Sequence, residues 1–338
     1  MRVLVTGANG FIGRALCHRL AVEGHAVRAL VRPGSELGSL ATMPEIEIVH
    51  GDVLAPASLQ PALRDAPWVV HLAAATAAGR DGTYARINVE GTRNVVEAAD
   101  AAGVLRFVFM SSLAAQGPSS PGHPHRVPGG ECPMDSHGRS KLEAEGIVRN
   151  RLGDRATAIR PAIAYGLDSS DVAQVIRWVR SRVLPIVPAL EISFVHVDDL
   201  VTLTLLALQS DGPAWGPYFA ADGEVHSMER VVDRLEGLIS ERPALRLPLP
   251  PKLLSWLEPV SQRISDSAGL GASVSRLIAQ VRAPGWACLP DEAAVRFGFS
   301  PRRTLSTALP EVVAWYRDQG VFDGGHRSAP ASGQTSST

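Results

Sequence analysis

Cysteine is scarce in this 338-residue sequence, with Cys17, Cys132 and Cys288 the only three. They are too few and too scattered for a disulfide framework or a zinc site, and they fit a reducing compartment. Neither sign of charge is in excess, since 33 Lys and Arg against 34 Asp and Glu leave a net charge of −1. The basic footprint of a nucleic-acid binder is missing, so no nucleic-acid partner is expected. No apolar run approaches the ~20 residues that span a bilayer. The N-terminal stretch shows no signal-peptide h-region with a cleavage site, and a cytoplasmic location is the expectation. His123 and His125 stand two apart in a Gly/Pro loop without acidic or cysteine partners, which makes a poor metal site; no metal is expected. Aromatic residues make up only 5% of the chain, and the tyrosines are four: Tyr84, Tyr165, Tyr218 and Tyr316.

What the chain does have is alternation. Short apolar runs over 3–5, 26–31, 46–49, 68–72, 105–110 and 156–159 read as strands, the last stopped by Pro161. Helical spacing fills the gaps, notably over 11–23, over 84–102 ahead of Gly103, and over 137–152 ahead of Gly153. Strands alternating with helices predict an α/β fold, a Rossmann-type doubly wound parallel sheet that binds ligands at the carboxyl ends of its strands. After Tyr165 the rhythm breaks. A helix is expected over 172–183, a strand over 194–197, a helix over 199–208 and a strand over 218–220. The leucine- and proline-rich stretch 241–262, with Leu254 and Trp256, suggests a smaller, mostly helical substrate-binding cap. The expected organisation is a nucleotide-binding domain over 1–165 to which 194–222 returns, a cap over 166–193 and 223–322, and a disordered tail over 323–338, rich in Ser, Gly, Ala and Pro.

Between the first strand and helix lies Thr6-Gly7-Ala8-Asn9-Gly10-Phe11-Ile12-Gly13. Glycine lets this turn close tightly and lets backbone approach a pyrophosphate, while the helix N-terminus offers free N–H groups and the positive end of its dipole. The strand–turn–helix context is the one a dinucleotide site requires. In NAD binders an Asp or Glu about 20 residues beyond the glycines holds the ribose 2′-hydroxyl, whereas an Arg suits a 2′-phosphate. Here Arg32 stands nineteen residues after Gly13, with Arg14 as a second cation at the helix start. NADP is therefore the expected cofactor, with NAD as the alternative.

This turn resembles the cofactor signature of the extended short-chain dehydrogenases/reductases, the NAD-dependent epimerase/dehydratase superfamily. The resemblance continues to about residue 322. His50-Gly51-Asp52-Val53 is similar to the family's segment around the adenine, which implies cofactor contacts for Asp52 and Val53. Val70-His71-Leu72-Ala73-Ala74 resembles the strand end that passes the cofactor, implying Leu72, Ala73 and Ala74 beside it. Asn88-Val89-Glu90-Gly91-Thr92 resembles the central helix motif. Arg160-Pro161 with Tyr165-Gly166 is similar to the loop beside the nicotinamide, which implies Pro161. Val195-His196-Val197-Asp198-Asp199 matches a late core motif. Ser111-Ser112-Leu113-Ala114-Ala115-Gln116-Gly117-Pro118 points to the 3β-hydroxysteroid dehydrogenase and dihydroflavonol reductase-like branch. Within the glycine turn, the resemblance assigns cofactor binding to Gly7, Asn9, Gly10, Phe11, Ile12 and Gly13.

The family carries a Tyr-x-x-x-Lys pair on one helix and a Ser or Thr at the end of the fifth strand. The resemblance implies that Ser112 orients the substrate oxygen and that Lys141 holds the nicotinamide ribose. Residue 137, where the family has its proton-transferring tyrosine, is histidine in an otherwise matching segment, His137-Gly138-Arg139-Ser140-Lys141. An unperturbed imidazole has a pKa of ~6.5, and a neighbouring ammonium disfavours its charged form. A neutral imidazole accepts a proton from an alcohol. Three outcomes stand open: acid–base chemistry through His137, a weakened or lost activity, or a proton donor moved to Tyr165, Tyr84, Asp135 or the substrate.

The leading reading is an NADP-dependent oxidoreductase that transfers hydride between nicotinamide and a hydrophobic secondary alcohol or ketone, with Ser112, His137 and Lys141 as its catalytic residues. Trp178 and the stretch near Leu254 motivate the hydrophobic substrate. The alternatives are a nucleotide-sugar epimerase and a catalytically impaired NADP-binding regulatory or scaffold protein. By family analogy a homodimer forms through the long helices.

Overall fold

The structure is a computed structural model that describes residues 1–76, 82–181, 183–186, 189–212, 215–239, 245–248, 283 and 285–322. The apolar runs of the first half form β1 (Arg2–Thr6), β2 (Ala26–Val31), β3 (Ile46–His50), β4 (Trp68–His71), β5 (Arg106–Met110) and β6 (Ala156–Pro161). The short strands β7 (Ile163–Tyr165), β8 (Val183–Ile186), β9 (Glu191–Ile192) and β10 (Phe194–His196) follow, and then β11 (Pro217–Ala220). Seven strands make one sheet in the order β11-β6-β5-β4-β1-β2-β3, every neighbouring pair parallel. The strand order reverses between β1 and β4, and in doubly wound sheets the crevice at such a point receives the ligand. Thr6 lies in register with His71 there.

The helices are α1 (Phe11–Val22), α2 (Pro56–Leu63), α3 (Gly91–Ala101), α4 (Leu113–Gln116), α5 (Ser136–Leu152), α6 (Ser170–Arg180), α7 (Val197–Gln209) and α8 (Met228–Ile239), followed by helices Asp291–Phe297 and Leu305–Asp318. The central strands read as continuous apolar runs because helices cover both faces of the sheet. Val3 and Val5 pack with Leu16 and Leu20 of α1 and with Leu200 and Leu203 of α7. Leu4, on the other face, packs with Leu59 of α2, Val95 of α3 and Val148 of α5. A separate cluster under the cap gathers Tyr165, Ile176, Leu190, Leu235, Trp286 and Val312, with Trp178 packed against it. Its short strands include β12 (His226–Ser227), β13 (Leu245–Pro248) and β14 (Gly285–Trp286).

Several boundaries differ from the periodicity. The single helix expected over 84–102 is two pieces, a π-helical turn over Ala85–Glu90 and then α3. The helix expected over 172–183 starts at a cap, Ser169 Oγ accepting from Val172 N at 3.4 Å, and ends before Val183, which opens β8. Pro161 does not stop β6 early but is its last residue. Proline lacks only the N–H donor, and the ladder continues through Ala162 N, which donates to Ala220 O at 2.9 Å. The segment 194–222 supplies β10, α7 and β11, the last of these an edge of the main sheet. Part of the 223–322 stretch is not cap, because Ala293 and Phe299 pack in the α1–α7 core. The tail over 323–338 and the stretch around Leu254 and Trp256 lie outside the described residues.

Candidate active site

At the head of β1 the chain turns so tightly that side chains have no room. Gly7 has φ +66°, and a Cβ on it would lie 2.7 Å from Ala73 N. A Cβ on Gly13 would lie 2.3 Å from Gly7 O and 2.6 Å from Ala8 O. Gly10 is the N-cap of α1 and provides no side-chain cap, so the first turn keeps donors available for an anion. A bare backbone turn and an uncapped helix end at the reversal point fit a dinucleotide pyrophosphate. Phe11 and Ile12, half-buried, begin α1. Asn9 Nδ2 donates to Glu36 O at 2.9 Å. Arg14, expected as a second cation for the cofactor, is paired with Asp168 at 2.6 Å instead. Arg32 is exposed at the end of β2.

The crevice wall opposite is fixed by a chain of hydrogen bonds whose polarity follows from its ends. Ala73 N donates to Thr6 Oγ1 at 3.2 Å, and Thr92 Oγ1 donates to Asn88 O at 2.6 Å. His71 stands between the two hydroxyls, with Nδ1 at 2.7 Å from Thr6 Oγ1 and Nε2 at 3.0 Å from Thr92 Oγ1. Since the Thr92 hydroxyl is already spent on Asn88, His71 donates from Nε2 and accepts at Nδ1. Burial, helped by the Lys141 charge, pushes this imidazole down to about 3, so it is neutral. Asn88 accepts from Ala75 N at 2.7 Å and donates to Ser140 Oγ at 2.9 Å. Leu72, Ala73 and Ala74 are thus held between the glycine turn and the helix that carries Lys141. Asp52 Oδ1 accepts from Leu54 N at 2.9 Å, and Val53 O accepts from Asn94 Nδ2 at 2.9 Å.

Ser112, two residues beyond the end of β5, caps α4, its Oγ accepting from Ala114 N at 3.1 Å. Helix α5 runs against this turn so closely that a Cβ on Gly138 would lie 2.2 Å from Ala114 O. That contact sets the first turn of α5, with His137, beside the Ser112 segment. Lys141 lies one turn further on the same face. It is buried, and its Nζ donates to Met110 O at 2.7 Å and sits 5.0 Å from the Phe109 ring centre. Burial, opposed by Glu145, pulls its ammonium down to about 8. His137 is 9% exposed, and the Tyr84 ring meets it edge-on with centroids 5.7 Å apart.

Two of the other expected proton donors, Asp135 and Tyr165, are committed elsewhere. Asp135 Oδ1 caps α5 by accepting from Gly138 N at 2.6 Å. Tyr165 donates to Arg303 O at 3.3 Å, and burial raises its phenol. His196 Nδ1 caps α7 by accepting from Asp198 N at 3.2 Å, and Asp198 pairs with Arg303 at 2.8 Å. On α6, Arg177 reaches Gln174 at 3.1 Å and Arg180 reaches Val321 O at 3.2 Å; Arg182 lies outside the described residues. Asp222, Glu224 and His226 cluster at metal-ligand spacing, within 4.8 Å. However, Asp222 already accepts from Leu305 N at 2.9 Å and from Glu224 N at 3.0 Å.

Sequence reasoning missed the group behind the site. Glu145, one turn beyond Lys141, is buried and accepts from the Ser111 hydroxyl. Arg160, 1% exposed, holds the same carboxylate with a fork of 2.9 and 2.6 Å and also reaches Gln116 at 2.6 Å and Glu131 at 3.0 Å. The available signal was an arginine ending an otherwise apolar strand, beside Pro161.

A parallel sheet that reverses at a bare glycine turn, with a buried lysine on the helix beside it, defines a dinucleotide-dependent enzyme. A sequence model of the NAD dependent epimerase/dehydratase family matches residues 3–218, and the chain belongs to that family. It is 28% identical over 337 residues to "Sterol demethylase protein B" of Methylococcus capsulatus, covering 95% of this chain and 100% of that protein. It is 32% identical over 199 residues to "Ceramide reductase" of Caulobacter vibrioides, covering 58% of this chain and 57% of that protein. The crystal structure of gox2253 superposes with a TM-score of 0.77 at 29% identity, over 94% of this chain and 98% of that one. The protein is an NAD-dependent enzyme of the short-chain dehydrogenase/reductase type. No helix among the described residues is long and apolar enough to cross a membrane.

Proposed function

We propose that the protein is an NADP-dependent oxidoreductase acting on a hydrophobic secondary alcohol or the corresponding ketone. The observation that carries this reading is the packing of α5 on the turn after β5, where Gly138 meets Ala114 and Lys141 bonds to Met110 O, which brings the segments of Ser112, His137 and Lys141 to one junction. The bound nicotinamide supplies or takes the hydride. Ser112 orients the substrate oxygen. His137 takes the hydroxyl proton in oxidation and returns it in reduction, a role imidazole fills widely. Lys141 holds the ribose hydroxyls. Gly7, Gly10 and Gly13, with the N-terminal turn of α1, cradle the pyrophosphate. Asn9, Phe11, Ile12, Asp52, Val53, Leu72, Ala73, Ala74 and Pro161 line the remaining length, and exposed Arg32 selects the 2′-phosphate.

The proposal of a hydrophobic substrate rests on the apolar character of the region after Tyr165, where partly buried Trp178 packs on the cluster of Ile176 and Leu190. The relatives whose names specify ceramide and sterol support it. The test is a substrate screen of the purified protein with NADPH and NADP, comparing lipophilic ketones and alcohols with nucleotide sugars. Turnover of a lipophilic pair is the expected result. Turnover of nucleotide sugars alone, with NAD retained through purification, would replace this reading with an epimerase.

A further inference from the structure

The charged group buried behind the catalytic helix has no place in hydride or proton transfer, yet it joins α5, α4, the end of β6 and the segment after β5 that carries Ser112. Glu145 lies on α5, one turn from Lys141. Its carboxylate takes the hydroxyl of Ser111, the residue just before Ser112, and both arms of Arg160, just before Pro161. Lys141 pins the same strand end one residue earlier, through Met110 O at 2.7 Å. We propose that Glu145 is a positioning residue: it clamps the strand end bearing Ser112 to the helix bearing His137 and Lys141, and it keeps Lys141 cationic toward the cofactor. The proposal rests on the reading of Lys141 as the ribose-holding cation.

Stability alone is a weak account of this group. A buried ion pair gives little net stability over apolar residues of similar volume. Its distinctive effect is on the field at Lys141. The charged and titratable groups around that ammonium are His137 and Glu145 on α5, His71 on β4, and Arg160 on β6, with Glu131 behind Arg160. His71 is neutral, and Tyr84 faces the site from the turn before α3. From β5 come the Met110 carbonyl and the Phe109 ring, and from the Asn88–Ser140 contact only uncharged groups. Arg160 is balanced by Glu145 and Glu131 together. Glu145 is thus the anion that opposes the desolvation of Lys141. Without it the ammonium loses its proton at lower pH, and the remaining neutral amine donates to the ribose only without the charge assistance.

The experiment follows the Lys141 Nζ titration by ¹⁵N NMR in the full cofactor-free chain and, separately, NADPH affinity near pH 6 and pH 8. The wild-type midpoint is expected at about 8. Glu145→Gln is expected to lower it by about one pH unit or more. In the same variant NADPH should bind about tenfold more weakly near pH 8, where Lys141 is then neutral, and almost normally near pH 6. Glu145→Asp keeps the charge and should leave the midpoint near the wild-type value. The double variant Glu145→Gln/Arg160→Met removes the pair together, leaves no lone buried guanidinium, and should show a smaller downward shift than Glu145→Gln alone, because a repelling cation leaves with the anion. Folded variants that titrate as wild type does, or that lose NADPH equally at both pH values, would overturn the proposal. If the wild type binds neither NADPH nor NADH, the reading of the cofactor site fails, while the titration still decides the role of Glu145.

Discussion

At the nucleotide end of the crevice three glycines leave the backbone bare, whereas the proposed chemical end depends on the side chains of Ser112, His137 and Lys141. The first end is specified by what is missing. Gly7 and Gly13 stand where any Cβ would strike backbone at 2.7 and 2.3 Å, and backbone cannot swing aside. The second end is specified by one group at a time. There Gly138 packs on Ala114, and Lys141 bonds to Met110. One end is therefore steric and all-or-none, while the other is chemical and graded.

The largest effect should come from breaking the steric end. Gly13→Ala forces a Cβ to 2.3 Å from Gly7 O. Overpacking against rigid neighbours typically costs ~1–3 kcal/mol and occasionally more, and here the neighbour is the cradle itself. Thermal unfolding should show a clear drop in Tm, and NADPH titration should show affinity reduced beyond about a hundredfold, near 3 kcal/mol. Near-normal binding by this variant would mean that the turn does not hold the cofactor.

The chemical end should fail differently. His137→Ala removes the proposed proton carrier and should lower kcat by about 10²- to 10⁴-fold, the usual worth of a positioned acid–base group. NADPH affinity should stay close to wild type, because the cradle lies on other elements. Loss of binding together with kcat would show that the two ends are not separable. Unchanged kcat would move the proton step away from His137, with Tyr84, whose ring lies against it, as the next residue to substitute.

The steric end was also the more legible one. Glycine spacing, the apolar run over 3–5 and the helical pattern after Phe11 are local features, and together they disclosed the turn, the sheet and the cofactor class. The histidine at 137 was visible because its neighbours match the family pattern. What surrounds it was not. Tyr84 comes from 53 residues away, and Arg160 and Glu145 meet across an element boundary that no periodicity marks. The π-helical turn before α3 was hidden for a related reason, since one widened turn hardly disturbs an apolar pattern read along a helix. Chemistry alone offers Asp135 as a proton donor, whereas local geometry commits it to a helix cap.

Lys141→Met should separate stability from function. The unfolded chain holds the lysine proton at its ordinary 10.5, whereas the buried ammonium is pulled down to about 8. The unfolded state therefore binds more protons between about 8 and 10.5, and this group's cost to stability is full below about 8 and fades as pH rises through that window. At ~1.36 kcal/mol per pH unit, less ~1 kcal/mol for the lost bond to Met110 O, the variant should be about 2 kcal/mol more stable near neutral pH. It should also bind NADPH about tenfold more weakly. A fall in both quantities would make Lys141 a structural residue first.

Arg32→Ala should have the smallest effect, because Arg32 stands outside both ends. It is exposed at the end of β2 and carries no ion pair among the described residues. No core contact is at stake, so Tm should hold within the error of surface substitutions, ~0.5 kcal/mol. A charge-assisted bond to phosphate at a partly solvated site is worth about 1.5 kcal/mol, close to tenfold in affinity. NADPH should weaken by that factor while NADH, which has no 2′-phosphate, binds unchanged. The ratio of the two dissociation constants is the informative number, since any disturbance of the turn would move both together. Equal affinities in the wild type would remove the NADP assignment and leave the hydride chemistry of the crevice intact, because nothing in the Ser112–His137–Lys141 geometry depends on which phosphate the ribose carries.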